Sequence, residues 1–477
     1  MDSKHTQLRI FFFPFMAQGH SIPAIDMAKL FASHGVHVSI ITTPLNATRL
    51  AKSINNSGHP GREIELLIIN FPSAAVGLPD GCESLDLART PDMFQRFFRA
   101  TTMLEPEIDR ILEQHRPHCL VADTFFPWTT DVAAKYGILR VVFHGTCFFS
   151  LCAAASIIAN RPFDKVSSDL QPFVIPNLPH EIKLTRSQVP GFLKEEVETD
   201  FIKLYRASKE VESRCYGFLI NSFYELEPAY ADYYRNVMGR KAWHIGPLSL
   251  YSNVKEDKAQ RGDSVSIEEH DCLKWLDSKN PNSVLYVSFG SLASLTNSQL
   301  LEIAKGLEAT GQSFIWVVKK EIHDQEEWLP EGFEKRIEGK GLIIRGWAPQ
   351  VLILDHRSIG GFVTHCGWNS ALEGVTAGLP MVTWPNSAEQ FYNEKLITDV
   401  LKIGVGVGAM HWGRAGKDLI TSEAIEKAVN RVMVGEEAEG MRSRAEALGI
   451  QAREAIEDGG SSLSDLKAFF DDIRSRI

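Results

Sequence analysis

The sequence predicts an α/β protein of two domains of comparable size, and two observations carry that prediction. Strand-length apolar runs alternate with amphipathic helical segments along most of the 477 residues. These runs lack clean period-two alternation, as strands of a parallel sheet covered on both faces do. Midway, Asn253–Ser264 is polar and charge-rich with almost nothing to bury, which reads as a connection between domains. The expected division is an N-terminal domain over 1–245, a linker over 246–266, a second domain over 267–460 and a last helical segment over 461–477.

Taken in order, Leu8–Met16 reads as a strand and Ile22–Ser33 as a helix closed by Gly35. Val36–Ile41 and Ile64–Asn70 follow as strands, Pro91 to Gln114 as one long helix, and His118–Ala122, Leu139–Phe143 and Gly217–Asn221 as short apolar strands. Beyond the linker come a helix at Glu268–Asp277, strand Ser283–Phe289, helix Asn297–Thr310 and strands Ser313–Val318, Leu342–Arg345 and Gly361–Thr364. A helix opens at Trp368, Met381–Trp384 is a strand, and Ser422–Val434, Glu437–Glu457 and Ser461–Ile477 are helical. Gly404–Gly408 alternates glycine with valine, yet it lacks the helix spacing and the acidic residue about 20 positions on that a dinucleotide fingerprint needs. It reads as a glycine-rich strand.

Composition narrows the function. Fifty Lys and Arg against sixty Asp and Glu leave a formal charge of −10, which repels polyanions and argues against nucleic-acid binding. A small anionic ligand is still compatible with one locally opposed site. Seven cysteines with no Cys-x-x-Cys, the closest pair being Cys147 and Cys152, fit reduced thiols in a cytoplasmic protein. The apolar run Ile10–Ala17 is broken by Pro14 and makes a poor signal peptide. Val141–Asn160 is uncharged and long enough to span a membrane, but His144, Gly145, Thr146 and Ser150 favour a buried strand, a loop and a buried helix.

The richest segment is the 44 residues from Trp347 to Gln390. A strand ending at His365, a turn at Cys366-Gly367 and a helix opening at Trp368-Asn369-Ser370 make an anion site, because free backbone N–H groups and the helix dipole face the ligand. Glu373 lies about one turn along the same helix face as Asn369 and Ser370. A carboxylate there repels phosphate but suits vicinal hydroxyls such as those of a ribose. Trp347 offers a flat indole for a base, with the Ala348 backbone and the Gln350 amide beside it; Glu389 and Gln390 suit the hydroxyls of a sugar. Base, ribose, diphosphate and sugar find candidates in order, so the segment describes a nucleotide-sugar site. In the first half, His20 follows one strand and Asp123 ends another. Parallel strands of one sheet bring such ends together, and an Asp behind an imidazole sets its tautomer for use as a general base.

This segment resembles the signature box of plant UDP-dependent glycosyltransferases end to end, with the Trp, the Gln, His-Cys-Gly-Trp-Asn-Ser, the Glu and the final Gln in place. Gly19-His20, the Asp123 segment and Phe289-Gly290-Ser291 are also similar to the family. Phe15–Phe31 and Val141–Phe149 look closest to the branch acting on flavonoids and triterpenoids. The resemblance implies a GT-B fold, two Rossmann-like domains facing across a cleft, with the C-terminal helix crossing back to the first domain. It implies Trp347 stacked on uracil with Ala348 holding the base, and Gln350 and Glu373 on the ribose. It further implies His365, Asn369, Ser370 and Ser291 on the diphosphate, and Trp368, Glu389 and Gln390 on the sugar, with Thr146 a further donor contact. His20 and Asp123 match the catalytic dyad, and a terminal Gln390 is associated with glucose. Glu389 departs from the Asp that many members carry.

The expected activity is therefore inverting transfer of glucose from UDP-glucose, as co-substrate, to a small lipophilic phenol or alcohol, by a monomer without stable membrane insertion. No cofactor and no metal are expected, since no Asp-x-Asp occurs. A non-catalytic nucleotide-sugar-binding relative is the main alternative, and a nicotinamide oxidoreductase is disfavoured by the weak glycine motif. His144 is the closest rival of His20, with core or pocket lining as its ordinary role, and Arg96, Arg99 and Glu105 read as a solvated helix face. The many phenylalanines of Phe11–Phe15, Phe94–Phe98, Phe125-Phe126 and Phe148-Phe149 are expected mostly in the core, with some lining an apolar acceptor pocket. Acceptor choice is expected to lie with the loops Ser73–Thr90 and Phe163–Pro190.

Overall fold

Two parallel sheets organise the chain. The structure is a computed structural model that describes residues 7–55, 64–194, 197–251, 269–290, 295–318, 328–413 and 418–477. The first sheet contains β1 (Arg9–Phe13), β2 (His37–Thr42), β3 (Glu65–Ile68), β4 (Cys119–Asp123) and β5 (Leu139–Phe143). An antiparallel hairpin of β6 (Pro172–Val174) and β7 (Lys183–Thr185) interrupts it before β8 (Gly217–Ile220) and β9 (Ala242–His244) complete it. The second sheet contains β10 (Val284–Ser288), β11 (Ser313–Val318), β12 (Gly341–Arg345), β13 (Ile359–Thr364), β14 (Met381–Thr383) and β15 (Gly404–Gly406).

Strand order is β3-β2-β1-β4-β5-β8-β9 in the first sheet and β12-β11-β10-β13-β14-β15 in the second. Each sheet grows outward in one direction over its first three strands and then in the other from the fourth. The reversals, between β1 and β4 and between β10 and β13, leave a crevice at the carboxyl ends of those strands. Both crevices hold candidate site residues.

Local chemistry explains most boundaries. The first strand stops at Phe13 rather than Met16, because Pro14 has no N–H for the ladder. The region expected as one helix is two, Pro91–Thr102 and Glu105–His115, because Pro106 cannot continue the first helix. Thr90, Thr199, Thr296 and Thr421 each cap a helix by accepting a backbone N–H three residues on. Arg96 donates to the Gly77 carbonyl (2.9 Å) and Arg99 pairs with Asp200 (2.7 Å), so that face is braced to its neighbours rather than merely solvated. Gly404–Gly406 is indeed a strand. Most of the expected linker, 252–266, lies outside the described residues.

The Ser461–Arg474 helix returns to the first sheet. Leu463, Leu466, Phe469, Phe470 and Ile473 are buried with Ile25, Phe31 and Trp243, the Phe469 ring lying 5.0 Å from Trp243 and the Phe470 ring 4.9 Å from Phe31. Asp465 accepts the His244 N–H (2.8 Å) and pairs with Arg235 (2.5 Å), and Asp472 accepts from Tyr216 (2.5 Å) and Lys241 (2.6 Å). Among the described residues, no helix is long and apolar enough to cross a membrane. Val141–Asn160 resolves into the end of β5, a turn and the Phe148–Asn160 helix. Since Phe469 has no solvent exposure, Phe469→Ala should destabilise the protein by about 3–5 kcal/mol, read as a lower urea midpoint in equilibrium unfolding.

Candidate active site

In the first crevice, Phe13 of β1 pairs with Ala122 of β4, so the chain leaving β1 meets the end of β4. His20 lies in the first turn of the Gln18–Ser33 helix, and its Nδ1 is 2.7 Å from Asp123 Oδ2. Asp123 is buried, and its Oδ1 accepts the Phe125 N–H at 3.0 Å. An ionised carboxylate only accepts, so the shared proton sits on Nδ1 and Nε2 keeps its lone pair. Burial by itself lowers the His20 pKa. The charge and hydrogen bond of Asp123, with weaker attraction from Glu389 and Asp86, more than offset it, and the net position is above the ordinary histidine value.

Beneath this pair lies a residue that motifs do not reveal. Arg140 is a buried arginine inside an apolar strand, and it donates to Thr129 Oγ1 (3.0 Å) and to the carbonyls of Asp123 (3.1 Å) and Phe126 (3.3 Å). It braces the loop that carries the carboxylate. A charge in the middle of LRVVF is the available signal, because a buried arginine demands acceptors.

Around His20 stand aromatic rings. Phe15 is 5.4 Å and Phe125 5.7 Å away, and Phe125 contacts Phe98 and Phe201. Phe201 continues to Phe192 and Tyr205. Phe94, Phe125, Phe192, Phe201 and Tyr205 are only partly buried, whereas Phe148 and Phe149 pack on Tyr234 and Tyr230 in the core. The wall thus draws on the Asp200–Val211 helix, which sequence patterning does not single out. His144 is buried and stacked on Phe218 (5.6 Å), and burial, with nearby Lys209 and Arg140, keeps it neutral. Thr146 Oγ1 is buried without a hydrogen-bond partner.

In the second crevice, Ser288 of β10 pairs with Thr364 of β13. His365 follows, then Cys366 in the left-handed region (φ 63°), and Gly367 leads into the Trp368–Thr376 helix. Glycines flank the imidazole tightly: a Cβ on Gly290 would lie 2.6 Å from His365 Cε1, and one on Gly367 2.4 Å from Nε2. Burial pushes the His365 pKa down to about 4. The ring is therefore a neutral hydrogen-bonding group beside the helix N-terminus. Ser291 lies outside the described residues.

The ribose candidates form one cluster, Gln350 Nε2 donating to Glu373 Oε2 (2.7 Å) and Ser370 Oγ (3.1 Å). Trp347 is partly exposed beside the buried Ala348, whose carbonyl accepts the Gln350 N–H at 2.8 Å. Gln390 Oε1 accepts the N–H groups of Asn386 and Ser387 (2.8 and 2.9 Å), shaping the turn before its helix. Burial raises the Glu389 pKa against opposing contributions that include its own and the Trp368 N–H groups, the His20 charge and Asn393.

Two of the contacts between the domains lie at the half-sites' meeting point. Asn369 Nδ2 donates to the Gly19 carbonyl at 2.8 Å, next to His20, and Trp368 Nε1 donates to the Asn221 carbonyl at 2.7 Å. Trp368 is buried, and its indole N–H faces the first domain rather than a sugar. Asn369 Oδ1 is buried without a partner. Among the described residues, no group of three His, Cys, Asp or Glu is placed to hold a metal ion.

The family model for UDP-glucoronosyl and UDP-glucosyl transferases matches residues 233–441. The chain is 59% identical to a UDP-glucose flavonoid 3-O-glucosyltransferase of Fragaria ananassa, over 98% of this chain and 96% of that one. It is 56% identical to a scopoletin glucosyltransferase of Nicotiana tabacum, over 98% of both. A crystal structure of a Glycyrrhiza uralensis enzyme, UGT73P12, complexed with glycyrrhetinic acid 3-O-monoglucuronide superposes with a TM-score of 0.91 at 41% identity, covering 99% of this chain and 96% of that one. The Medicago truncatula enzyme UGT71G1 complexed with UDP-glucose gives 0.81 at 26% identity, over 99% and 100%. The chain belongs to the plant UDP-glycosyltransferase family and has its GT-B fold. It is a glycosyltransferase whose co-substrate is a UDP-sugar.

A base works only in its neutral form, which is lost as pH falls through its pKa. With the His20 pKa raised, the acid limb of kcat/KM should lie above the ordinary histidine value of about 6.5. Asp123→Asn removes the raising charge and leaves burial, so the limb should move to lower pH while the plateau falls by about 10²–10⁴-fold. A pH–rate profile of both enzymes checks this.

Proposed function

We propose that this chain transfers glucose from UDP-glucose to a hydroxyl of a small, lipophilic, planar acceptor, a phenol such as a flavonoid or coumarin or else a triterpenoid alcohol, by one displacement with inversion. The observation that carries the reading is the His20–Asp123 pair, 2.7 Å apart, with His20 in the helix turn whose Gly19 carbonyl also accepts the donor domain's Asn369. His20 Nε2 takes the acceptor proton as the oxygen attacks C1 of the sugar, and Asp123 stabilises the imidazolium that forms. The leaving diphosphate is met by His365, Asn369, Ser370 and the helix N-terminus, with Ser291 joining them. Trp347 and Ala348 hold the base, Gln350 and Glu373 the ribose, and Glu389, Gln390 and Thr146 the sugar. Trp368 serves the sugar through Glu389, whose carboxylate its backbone N–H engages, while its indole is engaged with Asn221.

The names of the flavonoid and scopoletin relatives support a phenolic acceptor, and the aromatic wall beside His20 matches a flat ring system. A non-catalytic relative has no need of a dyad, and here both members are present and bonded. The seven cysteines are all free, in keeping with a reducing cytoplasm, and the reading takes the protein to act there as a monomer without a metal.

UDP release from UDP-glucose with a panel of phenols tests the reading. His20→Ala should lower kcat by about 10²–10⁴-fold with the Kd for UDP nearly unchanged, whereas Trp347→Ala should mainly raise the donor KM. Activity that survives His20→Ala while UDP affinity collapses would refute the base assignment. EDTA should leave turnover unchanged; loss restored by Mg²⁺ or Mn²⁺ would refute metal independence.

A further inference from the structure

Asn393 lies one helical turn beyond Glu389, in the Gln390–Lys395 helix, with no solvent exposure. Its amide has four neighbours. Nδ2 donates to the Cys366 carbonyl at 2.8 Å and to Glu389 Oε1 at 3.3 Å. Oδ1 accepts from Ser150 Oγ at 2.6 Å and lies 3.6 Å from Cys147 Sγ. Chemistry decides which way the amide faces. Turned over, its oxygen would meet a carbonyl and a carboxylate, both acceptors only.

Each neighbour belongs to a different part of the site. Cys366 is the left-handed residue between His365 and Gly367. Its N–H donates to Thr364 Oγ1 at 3.2 Å, so with its carbonyl on Asn393 both its backbone polar groups are held. Glu389 is the carboxylate assigned to the sugar. Ser150 and Cys147 open the Phe148–Asn160 helix of the other domain, just after Gly145 and Thr146. That helix start is itself fixed, because the buried Glu227 carboxylate accepts the Phe148 and Phe149 N–H groups (3.1 and 2.7 Å) and the Ser222 hydroxyl (2.5 Å). A line of hydrogen bonds thus runs from Glu227 through the helix N-terminus and Ser150 to Asn393, where it divides to the diphosphate turn and the sugar carboxylate.

We propose that Asn393 is a positioning residue for glycosyl transfer, orienting Glu389 toward the donor sugar and locking the diphosphate turn to the acceptor domain through Ser150. The proposal rests on the glycosyl-transfer reading above and adds a residue to it. Productive geometry across a cleft tolerates only about 0.5 Å of error, and a side chain that bonds both domains and both ends of the donor loop is placed to hold it.

A double-mutant cycle tests the proposal. Asn393→Ala should raise the KM for UDP-glucose about tenfold and lower kcat, while the Kd for UDP, which offers Glu389 no sugar, moves by less than about threefold. In a Glu389→Gln background the same change should add little to the donor KM, since the carboxylate it orients is gone. Ser150→Ala cuts the bond from the acceptor domain to Asn393 and leaves Glu389 oriented, and should lower kcat at an unchanged donor KM. Additive changes of donor KM in the cycle would overturn the proposal, as would a lowered Tm accompanied by wild-type KM and kcat. If Asn393→Ala does not fold, Ser150→Ala decides, and wild-type kinetics there would overturn it. A wild-type enzyme that releases no UDP with any acceptor strikes at the transfer reading itself, whereas normal wild-type turnover with additive variants strikes at Asn393 alone.

Discussion

The hydrogen bond from Asn369 to the Gly19 carbonyl, 2.8 Å long, joins the two half-sites next to His20. One belongs to the β1–β4 crevice and the other to the β10–β13 crevice; each sheet has a core cluster of its own, and a further apolar cluster takes in strands of both. A base on one and a nucleotide-sugar site on the other are useful only if their separation is fixed. Together with Trp368 on Asn221 and Ser150 on Asn393, this bond helps to fix it. Each such bond contributes on the order of 1 kcal/mol, so its importance is geometric. The burial that holds the domains together comes from larger surfaces, among them the apolar face of the Ser461–Arg474 helix.

Two histidines divide the chemistry because their surroundings differ. His20 sits against a carboxylate and its pKa rises; His365 is enclosed beside two glycines without one, and its pKa falls to about 4. The first is poised to take a proton and hold it, the second to donate a hydrogen bond without adding charge. On the proposed reading, a chain of net charge −10 would handle a diphosphate locally, through oriented N–H groups and a buried, neutral imidazole.

Much of this is legible in the sequence, for reasons that can be stated. His20 and Asp123 are 103 positions apart, yet each follows or ends an apolar run, and parallel strands bring such ends together. The His365-Cys366-Gly367 turn announces itself because strand, turn and helix N-terminus lie in continuous sequence. Features that depend on how separate pieces meet are hidden. The engagement of the Trp368 indole with Asn221, the bracing role of Arg140 and the Phe201–Tyr205 wall arise from packing between elements, which periodicity does not encode. The helix break before Pro106 is different: the proline is visible, but the apolar pattern continues on either side of it and masks the break.

The central claim is that the acceptor oxygen, deprotonated by His20, displaces UDP directly from C1 within one closed cleft. The anomeric configuration of the product made from UDP-α-glucose tests it most directly, by the proton coupling constant at C1 in the NMR spectrum. A β-glucoside is the predicted result. An α-glucoside would show that the displacement is not single and that His20 does not act as described.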